Sequence, residues 1–407
     1  MSKLCLLCTT NLALDNTMEH LIFGLAIMIV SSVVIAKASN VFEIATDYLG
    51  RNMNDGVKGL TLNAIGSSFP ELLTTVFFLV FATHENLGRD LAASIGASAG
   101  SAIFNSIVIP LLVIVVVLAK GGTQFNVSKK VVLRDGIFLV VAELLLLVIL
   151  SSNYITQWHG WILTSFYVIY IFYALKTMSK GESPNPEFMS NGKSNWYIRY
   201  LLKNTSNRNF RSWNLLFFAI FIIGVACAGL VEGCKMIADS MDINPLFVAL
   251  VLVAAASSIP DTIISMKDAR KGNHNDALSN VLGSNIFDIT ISIGLPLAIF
   301  LLISGEKINF VQEGPTLIDI RIMLLIITII TIFVYLFSKK ISRVQVFIFF
   351  ILYLIFIFYA IGAAQFHAGG EGWLAQNVGV FIEWLRQPGG INDVLQKLSN
   401  ALSKSWR

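Results

Sequence analysis

The chain has 407 residues, 55% of them hydrophobic and 13% charged, with a mean hydropathy of +0.72. Soluble domains carry about 25% charged residues, so this composition excludes an ordinary water-soluble globule. The net charge of +4 is small and its basic residues are scattered, which excludes a nucleic-acid-binding surface.

In chain order, residues 1–18 form an N-terminal segment that lacks the continuous apolar core and small-residue cleavage site of a secretory signal. Its Cys5 and Cys8 have no second ligand pair to complete a zinc site, and Cys227 and Cys234 lie in an apolar run, so no disulfide framework is expected. The five histidines are dispersed. A bilayer span takes ~20 apolar residues. Windows of that size predict helices near 19–48, 57–82, 91–119, 133–152, 157–177, 213–240, 245–266, 277–303, 320–338 and 344–365. The expected fold is therefore an all-α polytopic membrane protein of about ten transmembrane helices. A polar stretch at 178–212 divides it into two five-helix halves, 19–177 and 213–365. Residues 366–407 form a C-terminal tail, in which Trp373, Leu374, Val378, Phe381, Ile382, Trp384 and Leu385 make an apolar stripe. An amphipathic helix lying in the membrane interface is the first reading of that stripe, with a partner-binding or flexible tail as the alternatives.

Basic residues set the expected orientation. With the N-terminus outside, inside loops collect 19 Lys and Arg, including seven from Lys176 to Arg211; outside segments hold five, namely Lys3, Arg89, Lys235, Lys307 and Arg321. Both termini are thus expected outside and the 178–212 loop inside, in the plasma or inner membrane of a prokaryotic cell. Glu43 and Asp47 are placed at the cytoplasmic end of the first helix; Lys37 either snorkels toward the interface or modulates access and charge balance near the site.

Two motifs recur. Ala-Ile-Gly-Ser-Ser-Phe-Pro-Glu at 64–71 matches Ala-Ala-Ala-Ser-Ser-Ile-Pro-Asp at 254–261, and Gly-Ser-Ala-Ile-Phe-Asn at 100–105 matches Gly-Ser-Asn-Ile-Phe-Asp at 283–288. The repeats span 57–119 and 245–303, and an odd number of helices per half gives them opposite membrane orientation. Such inverted repeats characterise secondary transporters that bind near the midplane. Ala64, Ser68 and Glu71 share a helix face, as do Ala254, Ser257, Ser258 and Asp261; Ser67 flanks the first set. Pro70 and Pro260 lack an N–H and so deprive the carbonyls of Gly66 and Ala256 of a helical donor. Ser101 with Asn105, and Ser284 with Asp288, are spaced to present oxygens to the same point. Such an all-oxygen set suits calcium or sodium rather than zinc or copper. A carboxylate mid-membrane costs at least ~3 kcal/mol, which points Glu71, Asp261 and Asp288 to ion binding. Gly96, Gly100 and Gly283 are read as helix-packing positions.

The paired motifs resemble the alpha repeats of the calcium/cation antiporter superfamily, the sodium/calcium exchangers, over about residues 30–120 and 215–305. They are most similar to the potassium-dependent branch. The resemblance implies a sodium/calcium antiporter working by alternating access, with potassium as a candidate third ion and neither a cofactor nor an enzymatic reaction. It implies Glu71 and Asp261 as central calcium ligands. Oxygens of Ser67, Ser68, Ser101, Ser257, Ser258 and Ser284, the carbonyls of Ala64 and Ala254, and the side chains of Asn105 and Asp288 complete the site. An aspartate at the place of Asp288 is linked to potassium in that branch. Ser67 stands where many members have threonine, and Ala256 where they have glycine. The 35-residue central loop has no room for a large calcium-sensing domain. The expected partners are membrane lipid and the transported ions. Rival readings are a proton/calcium exchanger and a cation channel; an intramembrane aspartyl protease fails for want of a Gly-x-Gly-Asp stretch.

Overall fold

Backbone polar groups in hydrocarbon must be satisfied within their own segment, which confines long apolar runs to helix. The computed structural model describes residues 2–49, 64–119, 129–177, 200, 208–272, 274–337, 343–388, 390, 393–395 and 397. Helix α1 (Ser2–Leu49) is followed by α2 (Ala64–Ser67), α3 (Phe69–Val80), α4 (Leu87–Ala119), α5 (Lys129–Leu150), strand β1 (Tyr154–Ile155) and α6 (Gln157–Thr177). The second half begins with α7 (Arg208–Met241) and α8 (Pro245–Val248), which runs through a π-helical turn, Ala249–Val253, into α9 (Ala254–Ser257). Then come α10 (Ile259–Lys271), α11 (His274–Phe287), a second π turn at Asp288–Ser292, α12 (Ile293–Ser304), β2 (Ile308–Asn309), α13 (Gly314–Phe337), α14 (Arg343–His367) and α15 (Trp373–Arg386). The molecule is an all-α membrane protein of two inverted repeats, relieved among the described residues by a β1–β2 antiparallel pair.

All ten hydropathy windows contain helix. By length and apolar composition, however, seven described helices qualify as spans, or eight when 245–257 and 259–270, bent by 41°, count as one. Helix α3 has only 12 residues, and α5 carries Arg134, Asp135 and Glu143 within its apolar run; these features keep both out of that count. The side chains of Cys5, Cys8 and Asp47, and most of the 178–212 loop, lie outside the described residues.

Both repeats are built alike, from a broken helix and a long one. Pro70 and Pro260 occupy the first turn of α3 and α10, where a missing N–H costs nothing. Just before them Ser68 (ψ 10°) and Ser258 (ψ 2°) leave the helical conformation. The long helix of the first repeat meets the broken helix of the second directly: a Cβ on Gly100 of α4 would lie 1.8 Å from the carbonyl oxygen of Leu250 in the first π turn. Gly96 approaches Leu246 in the same way. Helices in lipid associate by close packing rather than by leaving water.

Helices α1 and α7, one from each half, lie along each other. Gly24 and Gly233 let their backbones approach, since a Cβ on Gly233 would stand 2.9 Å from the Gly24 carbonyl oxygen. The pair has its own apolar cluster, including Met28, Ile35, Leu230 and Ile237, while α4 to α6 and α11 to α15 share the larger one. Phe42 of α1 reaches the broken helix, with its ring against Gly66. Beside it Lys267 of α10 pairs with Glu43 and donates to Asn40 Oδ1 at 3.2 Å. Lys37 is exposed on the outer side of α1.

One sequence expectation is corrected, that for Arg321. In the tail helix α15, Ile382 and Leu385 are buried, Val378 packs on Gly362 of α14, and Arg386 Nε donates to Asp319 Oδ2 at 3.0 Å. Trp373 and Trp384 stay exposed. Arg321, counted above as an outside flanking charge, lies within α13 and is 1% exposed. A basic residue at the edge of a hydropathy window cannot be told from a flank by sequence; here α13 begins at Gly314 and carries it inward.

Candidate ion-binding site

The breaks in the two bent helices and the middles of α4 and α11 converge. Glu71 and Asp261 lie in the first turns of α3 and α10, where the positive end of the helix dipole favours a carboxylate. Asp288 opens the second π turn, a local widening that often re-aims a functional side chain. One carboxylate oxygen from each of Glu71, Asp261 and Asp288 lies within 4.8 Å of the others. All twelve expected residues, Ala64, Ser67, Ser68, Glu71, Ser101, Asn105, Ala254, Ser257, Ser258, Asp261, Ser284 and Asp288, are at most 3% exposed. The cluster is closed off from solvent.

The hydroxyls form two related arrangements. Ser101 Oγ lies 3.1 Å from Glu71 Oε1, 3.1 Å from Asp288 Oδ2 and 2.9 Å from Ser258 Oγ. Ser284 Oγ donates to Asp261 Oδ1 at 2.7 Å and lies 3.4 Å from Ser67 Oγ. Asn105 Nδ2 donates to Asp261 Oδ2 at 3.0 Å, so the first repeat completes the shell of the second repeat's carboxylate. Glu71 Oε2, Asn105 Oδ1 and Asp288 Oδ1 have no hydrogen-bond partner among the described residues. Buried oxygens without a donor are costly, and a cation removes that cost.

The main-chain carbonyls are already engaged. The Ala64 oxygen accepts from Ser68 N at 3.2 Å and Ser67 Oγ at 3.4 Å, and the Ala254 oxygen from Ser258 N at 3.1 Å and Ser257 Oγ at 3.2 Å. In this conformation they brace the helix breaks, with both lone pairs of each oxygen in use.

Sequence reasoning missed the supporting residues. Ser98 Oγ donates to the Asp288 carbonyl at 3.2 Å, and Asn285 Nδ2 donates to Ala102 O at 3.1 Å and Ser106 Oγ at 2.8 Å. The stripe Ser94, Ser98, Ser101, Asn105 on one face of α4 was a readable signal for Ser98. Cys227 Sγ, from α7, lies 3.6 Å from the Pro70 oxygen at the first break.

The sequence pattern of the family described as sodium/calcium exchanger protein matches residues 23–176 and 211–362. The chain belongs to this family. Its members are cation/calcium antiporters, transporters rather than enzymes. An uncharacterized membrane protein of Methanocaldococcus jannaschii is 25% identical over 346 residues, covering 83% of this chain and 98% of that protein. Sodium/potassium/calcium exchanger 1 of Bos taurus is 32% identical over 121 residues, which are 30% of this chain and 10% of that protein. Among solved structures, the H+/Ca2+ exchanger CAX has a TM-score of 0.58 at 16% identity, over 88% of this chain and 92% of that one. The sodium-calcium exchanger NCX_Mj has a TM-score of 0.54 at 23% identity, over 83% and 98%. These similarities establish the fold, and the chain is an integral membrane protein with prokaryotic relatives.

Proposed function

We propose that the chain exchanges sodium for calcium by alternating access, with Glu71, Asp261 and Asp288 as the charged ligands and the named serines and Asn105 as neutral ones. The observation that carries this reading is the convergence of three buried carboxylate oxygens within 4.8 Å. Calcium binds oxygens at about 2.3–2.6 Å, so opposed ligands stand up to ~5 Å apart, whereas magnesium at about 2.0–2.1 Å demands a tighter octahedron. Several sodium ions can neutralise the same carboxylates. Because either cargo uses the same oxygens, their occupancies exclude each other, and competition gives exchange rather than cotransport. A charged cluster left empty in a low dielectric costs several kcal/mol per ion, which opposes the return of an unloaded carrier. In this reading α1 and α7 move as one body against the rest, alternately covering the two helix breaks.

The same reading takes ten crossings with both termini outside. It is supported by contacts that gather the turns onto two faces. On one, β1 pairs with β2, His84 Nδ1 lies 3.3 Å from Glu306 Oε1, and Arg89 donates to Ile243 O at 3.2 Å. On the other, Lys267 meets Glu43, and Ser279 Oγ donates to Asp135 Oδ2 at 3.1 Å.

One observation favours proton/calcium exchange as the second reading. Ser101 has a single proton for two carboxylate oxygens, so a proton shared between Glu71 and Asp288 would satisfy the cluster as a cation does. Calcium uptake into proteoliposomes under separately imposed sodium, potassium and proton gradients decides between them. Uptake driven by sodium with pH clamped supports the first reading. Uptake driven by a pH gradient without sodium replaces it with the second, and flux faster than a carrier's turnover indicates a channel.

A further inference from the structure

Outside this constellation, the largest fully buried side chain among the described residues is Arg321 on α13. Its Nη2 donates to the Ile95 carbonyl at 2.9 Å and lies 3.4 Å from Ser98 Oγ. Ser98 Oγ donates in turn to the Asp288 carbonyl at 3.2 Å, so the guanidinium is two hydrogen bonds from the ion ligand. Its Nε and Nη1 have no hydrogen-bond partner among the described residues. Two carboxylates are close enough to interact with it electrostatically, Asp288 and Glu143 of α5. Glu143 Oε1 accepts from Thr328 Oγ1 at 2.7 Å, and its Oε2 has no partner among the described residues.

A guanidinium keeps its charge at every accessible pH, and a buried, incompletely bonded one is expensive. Helix packing alone is served better by leucine or methionine. What repays Arg321 is negative charge, and the nearby negative charge belongs to the ion site on one side and to Glu143 on the other. We propose that Arg321 is a built-in monovalent cation of the transport site: its fixed charge offsets Asp288, so this corner has less need of a free alkali ion such as potassium or sodium. Glu143 shares the guanidinium and thereby sets how much of its charge reaches the site. The proposal rests on the exchanger reading of Glu71, Asp261 and Asp288. It makes Arg321 a specificity-determining residue that holds no cargo itself.

The test reads binding rather than flux. Purified protein in detergent is melted at fixed ionic strength while potassium, sodium or calcium replaces a large organic cation, and the concentration giving half-maximal stabilisation is recorded. Arg321→Gln is expected to bind potassium or sodium at least about tenfold more tightly than the natural chain, the size of effect a neighbouring charge exerts on a buried group. Arg321→Lys should behave like the natural chain, and adding Asp288→Asn to Arg321→Gln should cancel the gain. Unchanged potassium and sodium midpoints in Arg321→Gln overturn the proposal. Glu143→Gln, outside the ion site, keeps the test open if Arg321→Gln fails to fold. It releases the whole guanidinium charge toward Asp288 and should weaken sodium binding, and an unchanged midpoint again overturns the proposal. Absence of calcium stabilisation in the natural chain would count against the exchanger reading instead, since the monovalent comparison does not depend on it.

Discussion

Ser101 has one proton and three oxygens within 3.1 Å. A hydroxyl donates once, so the buried cluster is short of donors, and in the proposed reading that shortage is why charge at Glu71, Asp261 and Asp288 would hold the cargo. Glu71→Gln and Asp261→Asn change little in volume but each removes one charge from a desolvated group, a loss of about 3 kcal/mol or on the order of 100-fold in calcium affinity. Calcium uptake should fall to background while the amount of folded protein in the membrane stays level; near-normal uptake by both variants would remove these residues from the site. The carboxylates were legible in the sequence because the motif occurs twice, so each copy vouches for the other. Arg321 and Glu143 were not. Neither has a counterpart in the repeated motif, and a single charge in an apolar run gives no sign of which helix it will face.

At the scale of elements, the two helix breaks were readable from Pro70 and Pro260, whereas the π turns at Ala249–Val253 and Asp288–Ser292 were not. A π turn is a local register slip that sequence periodicity does not mark, and the first one lies where Gly100 lets α4 press on the Leu250 carbonyl. Gly100→Ala forces that backbone apart, at the ~1–3 kcal/mol typical of overpacking. The melting temperature should drop measurably; Gly272→Ala, at the chain turn after α10 with open space around it and φ 87°, should lower it through backbone strain of about 1–3 kcal/mol and not through crowding. The α1–α7 pair allows a sharper experiment. A Cβ built on Gly229 lies 3.8 Å from Ser31 Cβ, within the range a disulfide spans. Joining Ser31→Cys to Gly229→Cys should leave transport intact if the two helices move together. Transport that stops on oxidation and returns on reduction would mean that they slide past each other. The fate of α15 was not legible, because an amphipathic stripe looks the same whether lipid or protein covers it.

At the scale of the molecule, hydropathy located every described helix that builds the site, but it could not say how two halves of one chain share a core. Sidedness is open to direct measurement. Tyr154→Cys, exposed on β1, should react with an impermeant thiol reagent from outside the cell, and Ser190→Cys, in the central loop beyond the described residues, from the cytoplasmic side only. Each variant is made in a chain whose Cys5 and Cys8 are replaced by serine, and the opposite pattern inverts the orientation.

The paired arrangement of Glu71 with Ser101 and Asp261 with Ser284 has an energetic corollary. If inverted repeats exchange roles when the carrier turns around, the inward-open and outward-open states of an ideally duplicated chain would be degenerate, with no preferred resting side. Whatever bias this carrier has must then be written where the copies differ. Within the site those differences are few: glutamate against aspartate at 71 and 261, and an amide against a carboxylate at 105 and 288. A tilt of 1.4 kcal/mol between the two states is a tenfold change in their ratio, so a single such position can decide which side of the membrane the empty carrier faces.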